Sequence, residues 1–408
     1  MTAIAGAAAV IECASVTAAS RSGRGPRAGR RPGDDVARSP TRLAEPGIPT
    51  RVINPDQAEP ARSISAMTAV SRRAAVGTAD DHRIQEDTMR GKAPLGTRIL
   101  ADTRDWEALT DDQVIAAREK ANRTASSRAA RIVTGLPDRR ARIEEVPIDL
   151  PGRRLTLRVH RPKNADRKLP LIVSFHGGGF IAGTAAQNDW LNSHLAARCP
   201  AVVVSVEYRL APRHPLPQPV EDGYDTLVRL VEDAVGAGID PAAVAVMGES
   251  AGGTIAALIA LRAREDGPPL RAQVLNYPGT DWTETMADYP SIAENAGNPT
   301  LSLSRLRVSR RLSVPPTLDP RSVSPVKFEN LAGLPPALVV TAALDPVADH
   351  GSRYVERLRE DGTDARLTCY PKATHGFLST PGLVPAARPA RREILAFLRG
   401  HLRPAPPG

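Results

Sequence analysis

The sequence predicts an α/β fold in which helices flank a mostly parallel central sheet. From Leu169 onward, short apolar runs of strand length alternate with longer helical runs, and the apolar runs are nearly continuous. Strands covered on both faces by helices show this pattern. A glycine-flanked serine, Gly248-Glu-Ser-Ala-Gly252, lies between one such run and a helical one. In folds of this class, reactive groups collect at the carboxyl ends of the strands.

Composition excludes several other classes of protein. The chain has 408 residues, 41% of them apolar, which is enough for a sizeable core. The formal charge is +9, but residues 1–99 hold 15 basic and 10 acidic side chains, so +5 of the excess precedes the predicted fold. Without a nucleic-acid-binding motif, this charge does not predict a nucleic-acid partner. Three cysteines without metal-ligand spacing predict neither a disulfide framework nor a metal site.

Residues 1–100 are predicted to be a disordered or misannotated extension. Arg, Gly, Pro and Ser dominate 21–62 without periodicity, so this stretch cannot bury enough apolar surface to offset its ordering entropy. Met67 and Met89 are alternative start sites. No basic residue precedes Arg21, and no apolar run reaches the roughly 18 residues of a membrane span, so we expect a cytoplasmic protein.

Ordered structure is predicted to begin near Asp102. Acidic residues in the first turns predict helices over 105–109 and 111–120. Apolar and polar residues then alternate with a period of two over 142–150 and 153–160, on either side of a Pro-Gly pair. This pattern predicts a β-hairpin.

Strands and helices are predicted to alternate regularly beyond the hairpin. The predicted strands are 171–175, 201–206, 244–247, 272–277, 337–341 and 365–370. The predicted helices are 191–198, 220–235, one that begins at Ala251, 351–360 and 390–402. Residues 278–333 interrupt this rhythm and are predicted to be an inserted segment.

The serine turn supplies the candidate nucleophile, Ser250. Its pattern is G-x-S-x-G, and between a strand and a helix such a turn lifts the serine hydroxyl clear of the sheet. The backbone N–H of Ala251, at the start of the helix, is placed where an oxyanion would form. By itself the pattern is short, and an incidental serine in a glycine-lined turn is the alternative interpretation.

A glycine loop follows the first predicted parallel strand. His176 is followed by Gly177, Gly178 and Gly179, and three glycines leave their N–H groups open to a ligand. Such a loop forms one wall of an oxyanion hole, and Ala251 would form the other. We expect His176 to brace the loop by hydrogen bonding rather than to act as a base.

The other two reactive groups are predicted after two later strands. Asp345 follows the strand at 337–341 and can accept a hydrogen bond from an imidazole. It is favoured over Asp349, which is predicted to cap the next helix. His375 is the histidine placed in the loop after the last strand, from which it can reach Ser250. The order Ser, Asp, His is the order found in α/β-hydrolases.

Taken together, these motifs resemble the bacterial hormone-sensitive-lipase-like esterases, a branch of the α/β-hydrolases, over about residues 103–402. The matching stretches are His176-Gly-Gly-Gly-Phe180, Tyr208-Arg-Leu-Ala-Pro-Arg-His-Pro215 with Glu221-Asp222, Gly248-Glu-Ser-Ala-Gly-Gly253, Leu334-Pro-Pro-Ala-Leu-Val-Val340, Asp345-Pro346 and His375-Gly-Phe377.

The resemblance implies a serine carboxylesterase that acts on short- to medium-chain esters of small molecules without a cofactor or metal. It also implies a helical cap, formed by 101–142 and part of 278–333, over a catalytic domain at 143–404. Members of this family often have Asp before the nucleophile, whereas this chain has Glu249, which we interpret as a change in the bracing around Ser250.

Three tryptophans, Trp106, Trp190 and Trp282, are candidates for contact with the acyl chain, with ordinary packing as the alternative. A cap of this kind is compatible with peripheral lipid contact, but no amphipathic helix is clear enough to predict it.

Two other functions share these motifs. A deacetylase, amidase or thioesterase could use the same three residues, because its nucleophilic chemistry is the same and the cap sets the substrate. A ligand receptor on this fold would keep the glycine loop and lose the catalytic histidine. The presence of His375 argues against a receptor.

Overall fold

The computed structural model describes residues 93–402, apart from 103, 126 and 165–166. Within these residues, one sheet has the strand order β1-β2-β4-β3-β5-β6-β7-β8. The strands are β1 Ala141–Leu150, β2 Arg153–Pro162, β3 Leu169–Phe175, β4 Val202–Glu207, β5 Ile239–Glu249, β6 Ala272–Asn276, β7 Ala337–Leu344 and β8 Ala365–Thr374. Strands β1, β2 and β4 pair antiparallel, and all pairs from β4 to β8 are parallel. The predicted fold class and hairpin are confirmed.

Helices cover both faces of this sheet. In the described part of the chain they are α1 Asp111–Ala125, α2 Arg131–Thr134, α3 Asp189–Arg198, α4 Gln218–Glu232, α5 Ala251–Asp266, α6 Pro290–Glu294, α7 Leu303–Ser313, α8 Ala348–Glu360 and α9 Ala387–His401. Short 3-10 helices occupy Leu95–Leu100, Ala185–Asn188, Glu284–Ala287, Pro320–Val323, Pro325–Lys327 and Phe377–Ser379. None of these helices has the length and hydropathy that a membrane span needs.

The core lies in two layers because side chains of a strand point alternately to its two faces. In β3, Val173 and Phe175 belong to the same apolar layer as residues of α4, α5 and α8, whereas Ile172 belongs to the layer that contains residues of α3 and α9. All three side chains are fully buried. The central strands are therefore apolar on both faces, which accounts for the continuous apolar runs in the sequence.

The start of the described chain differs from the prediction in two ways. The predicted helix over 105–109 is a turn, and α1 begins at Asp111. Its start is fixed by a reciprocal pair of bonds, in which the Thr110 and Gln113 backbone N–H groups each donate to the other's side chain. A 3-10 helix at Leu95–Leu100 precedes Asp102. The rest of the predicted extension, residues 1–92, lies outside the described residues.

The segment 278–333 interrupts the alternation of strands and helices, as predicted. It connects β6 to β7 and contains α6, α7 and three of the 3-10 helices. Leu306 and Met286 from this segment are buried in the same apolar cluster as the strands β3 and β5. The segment is therefore packed onto the sheet through a shared core.

Candidate active site

Three of the predicted site residues each follow directly after a parallel strand. Ser250 follows β5, Asp345 follows β7 and His375 follows β8. Their side chains form a continuous chain of hydrogen bonds. The His375 Nε2 atom lies 2.8 Å from the Ser250 Oγ, and the His375 Nδ1 atom lies 2.8 Å from an Asp345 carboxylate oxygen. This is the geometry of a nucleophile, a base and a group that orients the base.

Ser250 occupies a sharp, strained turn between β5 and α5. Its φ of 53° and ψ of −119° lie in a region that side chains other than glycine rarely adopt. A Cβ atom at Gly248 would lie 1.9 Å from the Gly252 carbonyl oxygen, so the turn requires glycine there. The Ser250 hydroxyl makes no capping bond to α5 and is partly exposed. It therefore remains available both to His375 and to a substrate.

Asp345 is fully buried and bonded on both carboxylate oxygens. One oxygen accepts from His375, and the other accepts the Val347 backbone N–H at 3.0 Å. Asp349, the alternative carboxylate, is bonded elsewhere. It accepts the Ser291 backbone N–H at 2.8 Å, at the start of α6, rather than capping its own helix as predicted.

The glycine loop lies against the nucleophile. A Cβ atom at Gly177 would be 3.3 Å from the Ser250 Cβ atom. Within the described residues, the backbone N–H groups of Gly177, Gly178, Gly179 and Ala251 donate to no acceptor. Free N–H groups beside a serine nucleophile are the donors that an oxyanion hole needs.

His176 is held as a structural group at the start of this loop. Its ring is fully buried and stacks on Tyr208 with a centroid separation of 4.1 Å. Burial lowers the pKa of His176 to about 4, so the imidazole is neutral at physiological pH. The His176 Nδ1 atom lies 3.0 Å from the Gly177 carbonyl oxygen, and the Tyr208 hydroxyl donates to the His176 carbonyl oxygen at 2.7 Å. These contacts hold His176 and Tyr208 against the start of the loop.

Glu249 is buried directly beneath the nucleophile. One carboxyl oxygen accepts from the Ser379 hydroxyl at 2.5 Å, and the other has no hydrogen-bond partner of normal geometry among the described residues. Burial raises the pKa of Glu249 to about 7, and the nearby hydroxyl groups of Ser379 and Tyr277 offset only part of this effect. The carboxyl is therefore largely protonated below neutral pH.

The sequence patterns miss two residues around the site, Ser379 and Tyr277. The Tyr277 ring contacts His375 edge-on, with a centroid separation of 5.2 Å, and has an unusual positive φ of 37°. Ser379 is 130 positions from Glu249 along the chain, and no local pattern marks it. Only its place four residues after His375, on the same loop, could suggest a role.

The inserted segment 278–333 contacts the glycine loop and the helix after Ser250. The Trp282 ring packs on Phe180 at a centroid separation of 4.8 Å, and its indole N–H donates to the Thr254 hydroxyl of α5 at 3.1 Å. Ser309 of α7 lies on Gly179, where an added Cβ atom would be 2.3 Å from the Ser309 Oγ. This contact leaves no room for a side chain at position 179.

The other two candidate tryptophans have different surroundings. Trp106 is buried in a small cluster with Ile181 of the glycine loop and Val308 of α7. Trp190 lies on α3, in the core layer on the α9 side of the sheet, beneath the Arg391 guanidinium at 3.7 Å. Ordinary packing accounts for Trp190.

The stretch at 208–215 and the acidic pair at 221–222 contribute to the fold rather than to the reaction. Asp222 is fully buried, and its carboxylate accepts from the guanidinium groups of both Arg209 and Arg153. This ion cluster ties α4 to β2 and to the segment after β4. Among the described residues, no group of three or more His, Cys, Asp or Glu side chains could hold a metal ion.

Comparison with known proteins identifies a family. Residues 172–379 match the family described as alpha/beta hydrolase fold. The esterase LipI of Mycobacterium tuberculosis is 38% identical over 264 residues, which cover 63% of this chain and 82% of LipI. The carboxylesterase NlhH of the same species is 38% identical over 273 residues, with the same coverage. A solved hyperthermophilic esterase from Pyrobaculum calidifontis is 33% identical, with a TM-score of 0.64 over 71% of this chain and 94% of that one.

Proposed function

The chain belongs to the α/β-hydrolase family, in its hormone-sensitive-lipase-like branch, and is a carboxylesterase; we propose that it cleaves short- to medium-chain esters through an acyl-enzyme on Ser250. The observation that carries this proposal is the pair of 2.8 Å contacts that joins Ser250, His375 and Asp345. The free N–H groups of the glycine loop support it.

Acylation begins when the Ser250 Oγ attacks the ester carbonyl carbon and its proton passes to the His375 Nε2 atom. Asp345 holds the imidazole with Nδ1 protonated and stabilises the imidazolium that forms. The N–H groups of Gly177–Gly179 and Ala251 donate to the oxyanion of the tetrahedral intermediate. The bond from carbonyl carbon to alkoxy oxygen then breaks, and His375 gives its proton to the departing alcohol.

Deacylation repeats these steps with water in place of the alcohol. His375 takes a proton from the water as it attacks the acyl carbon, and the same N–H groups bind the second oxyanion. Collapse of this intermediate releases the carboxylic acid and returns the proton to Ser250. All the proton transfers pass through one imidazole nitrogen, so a single base suffices.

A cap over this site is part of the proposal. We assign it to the described part of residues 101–142 and to part of 278–333, around a catalytic domain at 143–404. The contacts of Ser309 with Gly179 and of Trp282 with Phe180 support this division, because both join the insertion to the oxyanion loop. Acyl-chain length would then be set by the cap rather than by the strand ends.

The first test is the Ser250→Ala variant, assayed with 4-nitrophenyl butyrate. We expect kcat/KM to fall by on the order of 10⁴-fold or more, because the acyl-enzyme cannot form. The melting temperature should not fall, and labelling by a fluorophosphonate probe should disappear. Substantial turnover by the folded variant would rule out Ser250 as the nucleophile. A parallel assay with amide and thioester analogues distinguishes an esterase from the other acyl hydrolases.

A further inference from the structure

Helix α7 carries four arginines, and one of them differs from the rest. Three are in ion pairs with carboxylates of other elements: Arg307 with Glu107 at 3.6 Å, Arg311 with Asp111 at 2.9 Å, and Arg310 with Glu284. The fourth, Arg305, has no hydrogen-bond acceptor and no carboxylate at ion-pair distance for its guanidinium within the described residues.

The surroundings of Arg305 lack a direct counter-charge. Its guanidinium lies over the Trp106 ring, 5.2 Å from the centroid. The nearest acid that influences it, Asp102, is already bonded by the Arg104 guanidinium and the Trp106 indole N–H. Asp102 therefore offsets the charge of Arg305 only from a distance.

Arg305 is partly buried rather than fully exposed. Burial by the surrounding protein lowers its pKa, yet the residue keeps partial contact with solvent. The residue is therefore partly shielded by protein but can still be reached from solvent. A partly shielded charge is solvated more weakly than one on the open surface, so it interacts more strongly with an anion.

Arg305 lies on the helix that contacts the proposed oxyanion loop. Arg305 and Ser309 are four positions apart on α7 and so lie on the same helix face, with a rise of about 6 Å between them. Ser309 contacts Gly179 of the glycine loop. Val308, on the adjacent position, packs with Trp106 and Ile181. Arg305 is therefore one helical turn from the residue that contacts the proposed oxyanion loop.

We propose that Arg305 binds a carboxylate on the substrate, so that the enzyme prefers esters carrying a negative charge a few bonds from the reacting carbonyl. Half-esters of dicarboxylic acids are the simplest class of this kind. A guanidinium suits this role because its planar fork matches a carboxylate and stays charged when partly buried. This inference rests on the proposed function, since it places the bound ester at Ser250.

The competing explanation is structural. Arg305 could serve only to hold Trp106 by a cation–π contact. In that case its removal would affect all substrates alike and would lower the stability of the protein. The two explanations therefore differ in substrate dependence, which kinetics can measure.

The test compares mono-4-nitrophenyl glutarate with 4-nitrophenyl methyl glutarate, its neutral counterpart. The wild-type enzyme should show a kcat/KM at least about tenfold higher for the charged ester, since a charge-assisted hydrogen bond contributes about 1.5–3 kcal/mol. In Arg305→Gln the charged ester should lose about 10- to 100-fold, whereas the neutral ester should lose less than about threefold. Arg305→Lys should retain part of the preference. The control Arg307→Gln, on the exposed side of the same helix, should change neither value.

A second pair of substrates places the charge on the alcohol side. Here 4-carboxyphenyl butyrate is compared with its neutral counterpart, 4-carbamoylphenyl butyrate. The pair in which the wild type prefers the charged ester identifies whether the acyl side or the alcohol side of the ester faces Arg305. The proposal is wrong if the wild type prefers the charged member of neither pair, or if Arg305→Gln keeps the preference. Equal losses on charged and neutral esters would favour the structural explanation and would also overturn the proposal. Failure of the proposed function would look different: Ser250→Ala would then retain activity on every ester.

Discussion

The strand ends and the inserted segment 278–333 are built by different means. At the strand ends, backbone pairing fixes the site: Leu344 is in register with Thr374, so Asp345 and His375 emerge side by side. In the insertion, side-chain packing fixes the geometry, as in the contact of Ser309 with Gly179. The strand ends can therefore keep their reactive groups while the side chains of the insertion change. Reaction and selectivity are then separable by mutation.

The largest effect should come from breaking the hydrogen-bond chain at the strand ends. Asp345→Asn cannot hold His375 with Nδ1 protonated, because an amide donates where the carboxylate accepted. We expect kcat to fall by on the order of 10⁴-fold with little change in KM. Steady-state kinetics with 4-nitrophenyl butyrate measure the loss. The control is Asp349→Asn, which weakens the bond from the Ser291 backbone N–H by removing the carboxylate charge and should reduce kcat by less than about threefold.

An intermediate effect should appear where the two regions touch. Gly179 has a left-handed φ of 64°, and a Cβ atom there would meet the Ser309 hydroxyl at 2.3 Å. Gly179→Ala should therefore displace one wall of the oxyanion hole and lower kcat by on the order of 10²-fold. Adding Ser309→Gly removes the clash but not the backbone strain, so the double variant should recover part of the loss. If the double variant recovers nothing, the insertion does not position the loop, and the two regions are less coupled than proposed.

The same contrast explains what the sequence can predict. Strand runs and the residues that follow them are local patterns, so Ser250, Asp345 and His375 can be located from the amino-acid sequence alone. The sequence places the ends of β7 and β8 three and four residues too early. Thr341 interrupts the apolar run of β7, and Pro371 and Lys372 follow the predicted end of β8, whereas backbone pairing continues to Leu344 and Thr374.

Other features depend on contacts between distant segments, which no local pattern encodes. A proline inside β8, Pro371, argues against a strand at that position, but β8 is an edge strand and tolerates a residue that cannot donate to a neighbour. The surroundings of the Arg305 guanidinium are formed by Trp106 and Asp102, which lie about 200 positions away in the chain. The bond from Ser379 to Glu249 joins two loops in the same way.

The smallest predicted effect on activity concerns Glu249 at the end of β5, where a substitution should change stability more than catalysis. Burial raises its pKa in the folded protein from the usual 4.5 to about 7, so between these two values the folded state holds a proton that the unfolded state has released. The free energy of unfolding should therefore fall as the pH rises through this window, by at most about 3 kcal/mol. Glu249→Gln removes this titration, since the amide stays neutral.

As the pH rises from 5 to 8, the melting temperature of Glu249→Gln should therefore increase relative to that of the wild type. Taking this difference cancels the contributions of the other titrating groups, which both proteins share. Glu265→Gln, at an exposed position on α5, is the matched control and should leave the difference flat. Because Glu249 bonds Ser379 rather than His375, kcat at fixed pH should change only a fewfold. An unchanged pH slope in Glu249→Gln would mean that the carboxyl is already ionised in the folded state, and that a partner stabilises its charge beneath the nucleophile.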